Sequence, residues 1–357
     1  MIKLVSKYRR QIFTSCVLVL WFSILSRIND CFQSTHEDVG NELHDDTLVN
    51  LYNFKFVLNN AAICKQNASN HTHSSLVIMI HSARDHFSER YAIRRTWGSL
   101  KTYMNWNLHL IFLLGIDSKS HPGNHVENRI MEESNEHKDI IMGNFEDTYH
   151  NLTYKHLMGY KWVSTFCSNA EIILKTDDDM FADTFQIVEI VLEEFRNANK
   201  SFVCVDMHGN KPIREVDNKW YVSEETFPDE SYPSFCSGVA YLMRAADAAK
   251  IYSVSNKTKF FWIDDVFVTG ILREKYDVLL HNRDEVSLEI WPNIYGYFWG
   301  ETETIIDWCS KDLGINQLSY AFIPIPRENF IRDSFCIWNK IRLMRYAMHT
   351  VVDFKMK

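Results

Sequence analysis

The chain has 357 residues, of which 46% are hydrophobic and 14% aromatic, with a formal net charge of −8 and a pI near 6.0. This acidic balance argues against a nucleic-acid binder, because such a protein needs a basic surface to displace counterions from phosphates. Beyond a membrane-proximal portion, roughly 280 residues remain, which is an ordinary length for a single α/β enzyme domain.

The N-terminus combines basic residues with an apolar stretch that runs from Ile12 to about Leu25. This stretch is shorter than the roughly 20 residues of a typical membrane span, and no small-x-small cleavage site follows it. Signal peptide and signal anchor are therefore both open, and we favour the anchor. Because basic residues precede it, the rest of the chain is predicted to be lumenal. We assign residues 1–10 to a cytosolic tail and 11–26 to a single-pass transmembrane anchor.

Residues 27–75 are polar and are interpreted as a lumenal stem, with a short helix predicted around Leu48 to Leu58. Asn-x-Ser/Thr tripeptides, which are glycosylated only on lumenal chain, predict glycosylation at Asn67, Asn70, Asn199 and Asn256. Of the eight cysteines, Cys16 falls in the apolar stretch, and the remaining seven lie in a compartment that permits disulfides. The odd number leaves one free or paired between chains, and the sequence selects no connectivity.

From residue 76 onward, short apolar runs alternate with longer amphipathic stretches. Strands are predicted at Leu76 to Ile80, Leu108 to Leu114, Asp139 to Met142 and Glu171 to Lys175, and helices at about Ser88 to Trp97 and Asn151 to Cys167. Alternation of strands and helices predicts an α/β fold with a mostly parallel sheet. We assign residues 76–345 to a catalytic domain and 346–357 to a C-terminal tail.

Three adjacent carboxylates, Asp177, Asp178 and Asp179, directly follow the fourth predicted strand. Asp177 and Asp179 are two apart, which in an extended segment turns both toward the same face. Hard oxygen ligands of this kind suit Mn²⁺ or Mg²⁺ rather than zinc. Such an ion, held by few protein ligands, keeps coordination positions open for a phosphate-bearing substrate. The alternative is a solvated acidic turn, but ligands bind beyond the carboxyl ends of strands in parallel sheets.

A second acidic pair, Asp264 and Asp265, lies between bulky apolar residues in the segment from Phe260 to Gly270. Apolar surroundings raise the pKa of a carboxylate toward the range in which it accepts a proton, as a general base requires. The alternative is that both residues cap a helix N-terminus. The two interpretations are compatible.

The segment from Tyr232 to Tyr241 joins a turn-forming proline to the small residues Ser237 and Gly238. Small residues allow backbone to approach a ligand closely. The alternative is a plain turn that leads into a buried strand.

Taken together, these motifs resemble, in order, six sequence blocks of the animal β-1,3-glycosyltransferase family, which contains the β-1,3-galactosyltransferases and β-1,3-N-acetylglucosaminyltransferases. The blocks are Arg90 to Gly98, Phe112 to Gly115, Phe145 to Lys155, Lys175 to Phe181, Tyr232 to Gly238 and Ile263 to Gly270. The resemblance covers about residues 76–272. Two departures are Asp264, where many members have Glu, and Gly270, which arrives one residue later than in the commoner form.

The resemblance implies a GT-A fold, dependence on Mn²⁺ (or Mg²⁺), a UDP-sugar donor, inversion at the anomeric carbon and a type II anchor in the Golgi membrane. By residue, it implies that Asp265 is the base with Asp264 beside it, that Asp179 and Asp177 hold the metal, and that Asp177 lies near the ribose. The other predicted donor-site residues are Asp178, Lys175, Arg90 and Arg94. For the two arginines, four apart on one helix face, a structural role ranks first.

The predicted function is transfer of a hexosyl residue, with galactose favoured, from a UDP-sugar to the 3-hydroxyl of a glycan on protein or lipid. A β-1,3-N-acetylglucosaminyltransferase and a non-catalytic Golgi chaperone or lectin on the same fold are the alternatives. Retention of both acidic segments argues against the non-catalytic alternative. The Asn151 tripeptide lies inside a family block, so we expect it to be glycosylated less readily than those in the stem.

Overall fold

A computed structural model of the chain describes residues 54–64, 74–119, 124–195, 201–280 and 321–355. All of them lie in one compact unit, Thr47–Lys357. The predicted anchor and the tripeptides at Asn67, Asn70 and Asn199 fall outside these residues. No helix among the described ones combines the length and apolar character needed to span a bilayer.

An eight-stranded sheet lies at the centre of the described unit. The strands in chain order are β1 Phe56–Leu58, β2 Ser74–His81, β3 Thr102–Tyr103, β4 Trp106–Ile116, β5 Ile140–Glu146, β6 Ile172–Asp177, β7 Met180–Ala182, β8 Phe202–Asp206, β9 Cys236–Arg244 and β10 Phe322–Pro324. The order across the sheet is β1-β5-β4-β2-β6-β9-β8, with β3 on β4, while β7 and β10 form a separate antiparallel pair. Strands β5, β4, β2 and β6 are parallel. The predicted mixed α/β architecture with a parallel central sheet is therefore confirmed.

Seven α-helices accompany the strands in the described part of the chain. They are α1 Phe87–Arg95, α2 His125–His137, α3 Leu152–Phe166, α4 Thr184–Glu194, α5 Ala245–Ser255, α6 Leu272–Leu280 and α7 Phe330–Lys355. The predicted helices near 88–97 and 151–167 correspond to α1 and α3. Sequence patterning missed α2, because Ile130 is its only buried residue. Asn124 starts that helix by accepting a hydrogen bond from the Val126 amide at 3.0 Å.

The central strands are apolar throughout because both faces of the sheet are covered. In β2, Leu76, Ile78 and Ile80 belong to the core on one face. Val77 and Met79 alternate with them and belong to the core on the other face. This explains why the sequence shows continuous apolar runs instead of a polar and apolar alternation.

The folded unit begins earlier and ends later than predicted. Residues 54–64, which we assigned to the stem, add β1 to the edge of the sheet beside β5. A helix was expected around Leu48 to Leu58, but the described part of that range contains strand β1 and is not helical. A disulfide from Cys64 to Cys167 ties this segment to the end of α3. At the other end, the backbone of α7 continues through Lys355, beyond the predicted boundary at 345.

Two further disulfides involve described cysteines. Cys204 and Cys236 join neighbouring strands β8 and β9 next to the segment that leads into the site. Cys336 in α7 is also disulfide-bonded. Disulfides are expected in a lumenal or extracellular compartment.

Candidate active site

The candidate site lies where the carboxyl ends of β2 and β6 meet the start of β9. His81 and Asp177 are register partners at the ends of parallel strands. Strand β9 runs the opposite way and pairs Tyr241 with Lys175, so its first residues reach the same edge. The Asp triplet therefore lies at the edge that the strand order predicts for ligands.

Lys175 is a buried cation among the acidic residues of this edge. Its side chain is 2% exposed, and its ammonium donates to Asp177 Oδ1 at 2.7 Å and to the carbonyl of Gly238. Burial disfavours the charge, yet the negative charges of Asp177 and Asp264 outweigh burial and raise the pKa of Lys175. Lys175 is thus committed to protein groups, and the structure favours a linking and charge-balancing role over the predicted direct contact with donor.

The three carboxylates of the triplet have different surroundings. Asp178 is buried and accepts hydrogen bonds from the Ala83 amide at 3.2 Å and from His86 Nδ1 at 2.9 Å. The hydrogen bond to Asp178 is the main cause that raises the pKa of His86, which favours an ion pair between them. Asp178 therefore fastens the turn after β6 to the loop after β2, and it is not turned toward a ligand as the sequence prediction allowed.

Asp177 and Asp179 are the more accessible members of the triplet. Asp179 is exposed at the turn. Its pKa is raised, mainly because nearby protein atoms reduce its solvation and secondly because of the negative charge of Asp178. Asp177 keeps 39% of its side chain exposed although it lies among crowded protein atoms, and this crowding raises its pKa to about 7 despite Lys175. Two carboxylates that resist ionisation without a cation provide hard oxygen donors that suit Mn²⁺ or Mg²⁺.

Asp265 is held rigidly at the start of a π-helical segment, Val266–Ile271. Its Oδ1 accepts from the Val266 amide at 2.8 Å and its Oδ2 from the Gly238 amide at 3.1 Å. Burial, and then the charge of Asp264, raise the pKa of Asp265 to about 7. Asp265 thus caps a helical segment and is also tuned for proton transfer near neutral pH, so the two interpretations of this segment are combined.

Gly238 is required at its position because its backbone lies against the Asp265 side chain. A Cβ at residue 238 would lie 3.0 Å from Asp265 Oδ2 and 3.2 Å from Asp265 Cβ. We predicted that the small residue Gly238 would let a ligand approach the backbone, but in the structure the Asp265 carboxylate occupies that space.

Asp264 is turned inward, away from Asp265, toward two histidines. Its Oδ2 lies 2.9 Å from His156 Nδ1 and 3.9 Å from His81 Nδ1. Burial works to raise the pKa of Asp264, but the hydrogen bond and charge of His156 outweigh burial and lower it. The surroundings therefore shift the two pKa values in opposite directions, lower for Asp264 and higher for Asp265, a pattern that is found in acid–base sites. We assign Asp264 to positioning and not to contact with substrate.

Asp264, His81 and His156 lie close enough together to hold a metal ion, but their bonding does not fit one. His156 already shares its Nε2 with the hydroxyl of Tyr241, which in turn lies 2.5 Å from the Tyr160 hydroxyl. Burial, with the nearby Lys175 charge, lowers the pKa of both histidines. His156 thus belongs to a buried hydrogen-bond network that orients Asp264, while His81 packs edge-on against the His156 ring, with ring centroids 5.0 Å apart.

Asp147 and Lys155, in the block from Phe145 to Lys155, fix the ends of three strands. Lys155 Nζ donates to Asp147 Oδ1 and to the carbonyl of Ser82, each at 2.7 Å. Asp147 Oδ2 accepts from the Gly115 amide at 2.8 Å. Both side chains are almost fully buried, so the pair serves as a structural clamp beneath the site.

Arg90 and Arg94 are both committed to carboxylates inside the protein. Arg90 is fully buried, donates twice to Glu133, and holds the carbonyl of Ala83 at 2.6 Å. Arg94 donates twice to Asp139 and once to Glu133. These bonds occupy the guanidinium edges and favour the structural role, which the sequence analysis ranked first, over contact with donor phosphates. Arg90 instead shapes the loop after β2.

Sequence reasoning missed the histidine network and the aromatic residues around it. His81 is the last residue of β2 just as Asp177 is the last residue of β6, so the strand-end rule could have indicated it. His156 carries no such signal, because a single polar residue on a buried helix is typical of ordinary cores. These features together bring partly buried carboxylates with shifted pKa values to one edge of the sheet, as is typical of enzyme active sites.

The family comparisons specify the enzyme class. A family model described as Galactosyltransferase matches residues 88–284. β-1,3-Galactosyltransferase 1 of Mus musculus and of Homo sapiens is 36% identical over 227 residues, which cover 63% of this chain and 67% of theirs. β-1,3-Galactosyltransferase 5 of Gorilla gorilla gorilla is 37% identical over 206 residues, covering 57% of this chain and 67% of that one. The chain therefore belongs to the galactosyltransferase family, and the resemblance read from its motifs is confirmed.

One solved structure superposes only loosely on this chain. The 4-diphosphocytidyl-2C-methyl-D-erythritol synthase of Anaerococcus prevotii is 13% identical, with a TM-score of 0.33 over 62% of this chain and 88% of that one. That overlap is too loose to transfer any property.

Proposed function

We propose that this enzyme transfers galactose from UDP-galactose to the 3-hydroxyl of an acceptor glycan, with inversion at the anomeric carbon. The observation that carries the proposal is Asp265, a fixed carboxylate whose pKa of about 7 suits a general base. The galactosyltransferase relatives support galactose as the donor sugar and the 3-hydroxyl as the point of attachment.

In the proposed single displacement, Asp265 accepts the proton of the acceptor hydroxyl as that oxygen attacks the anomeric carbon. A new glycosidic bond forms while the bond from the anomeric carbon to the diphosphate breaks, and UDP leaves with the electron pair. The contact with His156 lowers the pKa of Asp264, and the negative charge of Asp264 raises the proton affinity of Asp265. The amides of Gly238 and Val266 fix the direction in which the Asp265 carboxylate faces.

The donor side of the site is assigned to Asp177 and Asp179. Both offer hard oxygen ligands at the strand edge, and both have raised pKa values that a bound cation would reverse. When bound there, Mn²⁺ or Mg²⁺ would neutralise the charge of the departing diphosphate. Asp178 and Lys175 support this arrangement by fixing the turn and balancing charge.

We place the enzyme in the Golgi membrane as a type II protein whose anchor is the apolar stretch at residues 11–26. A lumenal catalytic domain is consistent with the disulfides and with the Asn-x-Ser/Thr tripeptides. Asn256 follows α5 and is partly exposed. Asn151 instead donates from Nδ2 to the Glu146 carbonyl at 2.9 Å, which favours its remaining unmodified. Glycans on protein or lipid are the proposed acceptors.

The test is UDP release by the full-length protein from a panel of UDP-sugars and simple glycosides, with Mn²⁺ or with chelator. We expect release only with metal and most strongly from UDP-galactose. Preference for UDP-N-acetylglucosamine would instead establish the alternative transferase.

The metal assignment is tested separately with Asp179→Ala. This variant should weaken Mn²⁺ and UDP binding together, as measured by titration calorimetry. Glu193→Ala, which removes an exposed carboxylate on α4, is the control and should change neither. Unaltered metal and UDP affinity in the Asp179 variant would contradict the assignment.

A further inference from the structure

Three aromatic side chains lie together beside the catalytic acidic pair, and we propose that they bind the pyranose ring of the acceptor. We call Tyr149, Trp220 and Trp262 the aromatic shelf. This inference rests on the proposed function and specifies how the acceptor is held. It adds a binding site to the residues that the chemistry already requires.

The shelf is partly exposed, although large aromatic side chains are usually buried. Tyr149 is 39% exposed and Trp220 is 47% exposed. The Trp262 ring lies 6.1 Å from that of Tyr149 and 4.5 Å from that of His150. Clustered exposed aromatics next to a reactive group indicate a ligand surface more than isolated ones do.

The topology brings the shelf over the site from distant parts of the chain. Tyr149 follows β5, whereas Trp220 comes from the loop between β8 and β9, at the other end of the sheet. The two residues are joined by a hydrogen bond from Trp220 Nε1 to the Tyr149 hydroxyl at 2.7 Å. Trp262 lies two residues before Asp264, so the shelf is connected directly to the acidic pair.

The shelf lies on the base side of the cleft, because Trp262 is two residues before Asp264 and its ring contacts that of Tyr149. Burial is the main cause of the raised pKa of the Tyr149 phenol, and the charges of Asp264 and Asp265 act on it more strongly than that of Asp177. An attacking hydroxyl must lie near Asp265, on the face of the anomeric carbon opposite UDP. The shelf therefore borders the space that the acceptor occupies.

The shelf is organised before any ligand arrives. The Trp220 amide donates to Asn218 Oδ1 at 2.9 Å, which fixes the turn that carries the indole. Arg214 holds the same loop through the carbonyls of Val222 at 2.8 Å and Phe227 at 2.7 Å. Preorganised groups bind with a smaller entropic cost.

The chemistry of the shelf suits an uncharged sugar. Aromatic faces pack against the C–H groups of a pyranose, while its hydroxyls face water or polar groups. The Lys219 ammonium lies 4.0 Å from the centre of the Tyr149 ring and so already has a cation–π partner. Sugar recognition by the shelf would thus depend on ring stacking.

The test compares Trp220→Ala with Trp220→Phe, which keeps an aromatic face but loses the hydrogen bond to Tyr149. For a benzyl glycoside acceptor, the alanine variant should raise KM about tenfold and the phenylalanine variant about two- to threefold. The KM for UDP-galactose and the melting temperature should not change. Val216→Ala, which removes an exposed apolar residue in the same loop (74% exposed), is the matched control and should leave both KM values unchanged.

Direct binding is measured in parallel by saturation-transfer NMR of the benzyl glycosides with UDP and Mn²⁺ present. The wild-type protein should saturate the ring C–H protons, and Trp220→Ala should abolish that signal. If the protein releases no UDP from any donor, yet the wild type shows transfer that Trp220→Ala loses, the proposed function fails while the shelf stands. The shelf assignment would be overturned if Trp220→Ala left the acceptor KM and the NMR signal unchanged, or if it raised the KM for the donor alone. It would also be overturned if the wild-type protein gave no glycoside signal.

Discussion

Replacing Gly238 by alanine tests whether the position of Asp265 sets the rate. The added Cβ would lie 3.0 Å from Asp265 Oδ2 and 3.3 Å from Asp265 Cγ. An ordinary contact begins near 3.4 Å, so the carboxylate must recede by about 0.4 Å. Because a misplacement of about 1 Å can cost about 10²-fold in rate, a shift of this size should lower kcat about 3- to 10-fold.

The assay is initial-rate UDP release at saturating donor and acceptor, together with UDP titration and thermal unfolding. We expect kcat to fall while UDP affinity with metal and the melting temperature stay near wild type. Ser237→Ala, at the neighbouring position, adds no bulk against Asp265 and should retain full kcat. A Gly238→Ala protein with wild-type kcat would refute the claim that this contact positions the base.

Two further predictions concern the charges around Asp265. Since its pKa is raised to about 7 by burial and then by Asp264, kcat/KM for acceptor should fall as pH drops below about 7 and level off above it. Asp264→Asn should move this acidic limb to lower pH in a pH–rate profile, and an unmoved limb would contradict the coupling. Lys175→Met removes the cation beside Asp177, which costs about 1–3 kcal/mol because Asp177 is 39% exposed, and should lower the melting temperature by about 2–12 °C. Lys211→Met, at an exposed position, is the control, and equal melting temperatures for the two variants would count against a buried charge network.

The sequence predicted the parallel core well because its strands are buried on both faces and are therefore continuously apolar. It also predicted the position of Asp177, since that residue directly follows such a strand. Helix α2 was missed because its single buried residue, Ile130, gives no periodic pattern. The stem boundary was misplaced because β1 is only three residues long and is held by a distant partner strand.

Assignments within the site needed three-dimensional contacts. Arg90, with predicted structural and binding roles, is shown by its bonds to Glu133 to be committed to the fold. Asp264 and Asp265 are adjacent in sequence, yet one faces His156 and the other faces Gly238. The family resemblance already implied Asp265 as the base, but the opposite directions in which the two side chains face follow only from the fold.

The most direct test of the account is the turnover of Asp265→Asn with Mn²⁺, UDP-galactose and an acceptor glycoside. The amide cannot accept the proton, so kcat should fall by on the order of 10²- to 10⁴-fold. UDP affinity in the presence of metal should stay close to wild type, because the donor side is formed by Asp177 and Asp179. Near-normal turnover by this variant would contradict the assignment of Asp265 as the base.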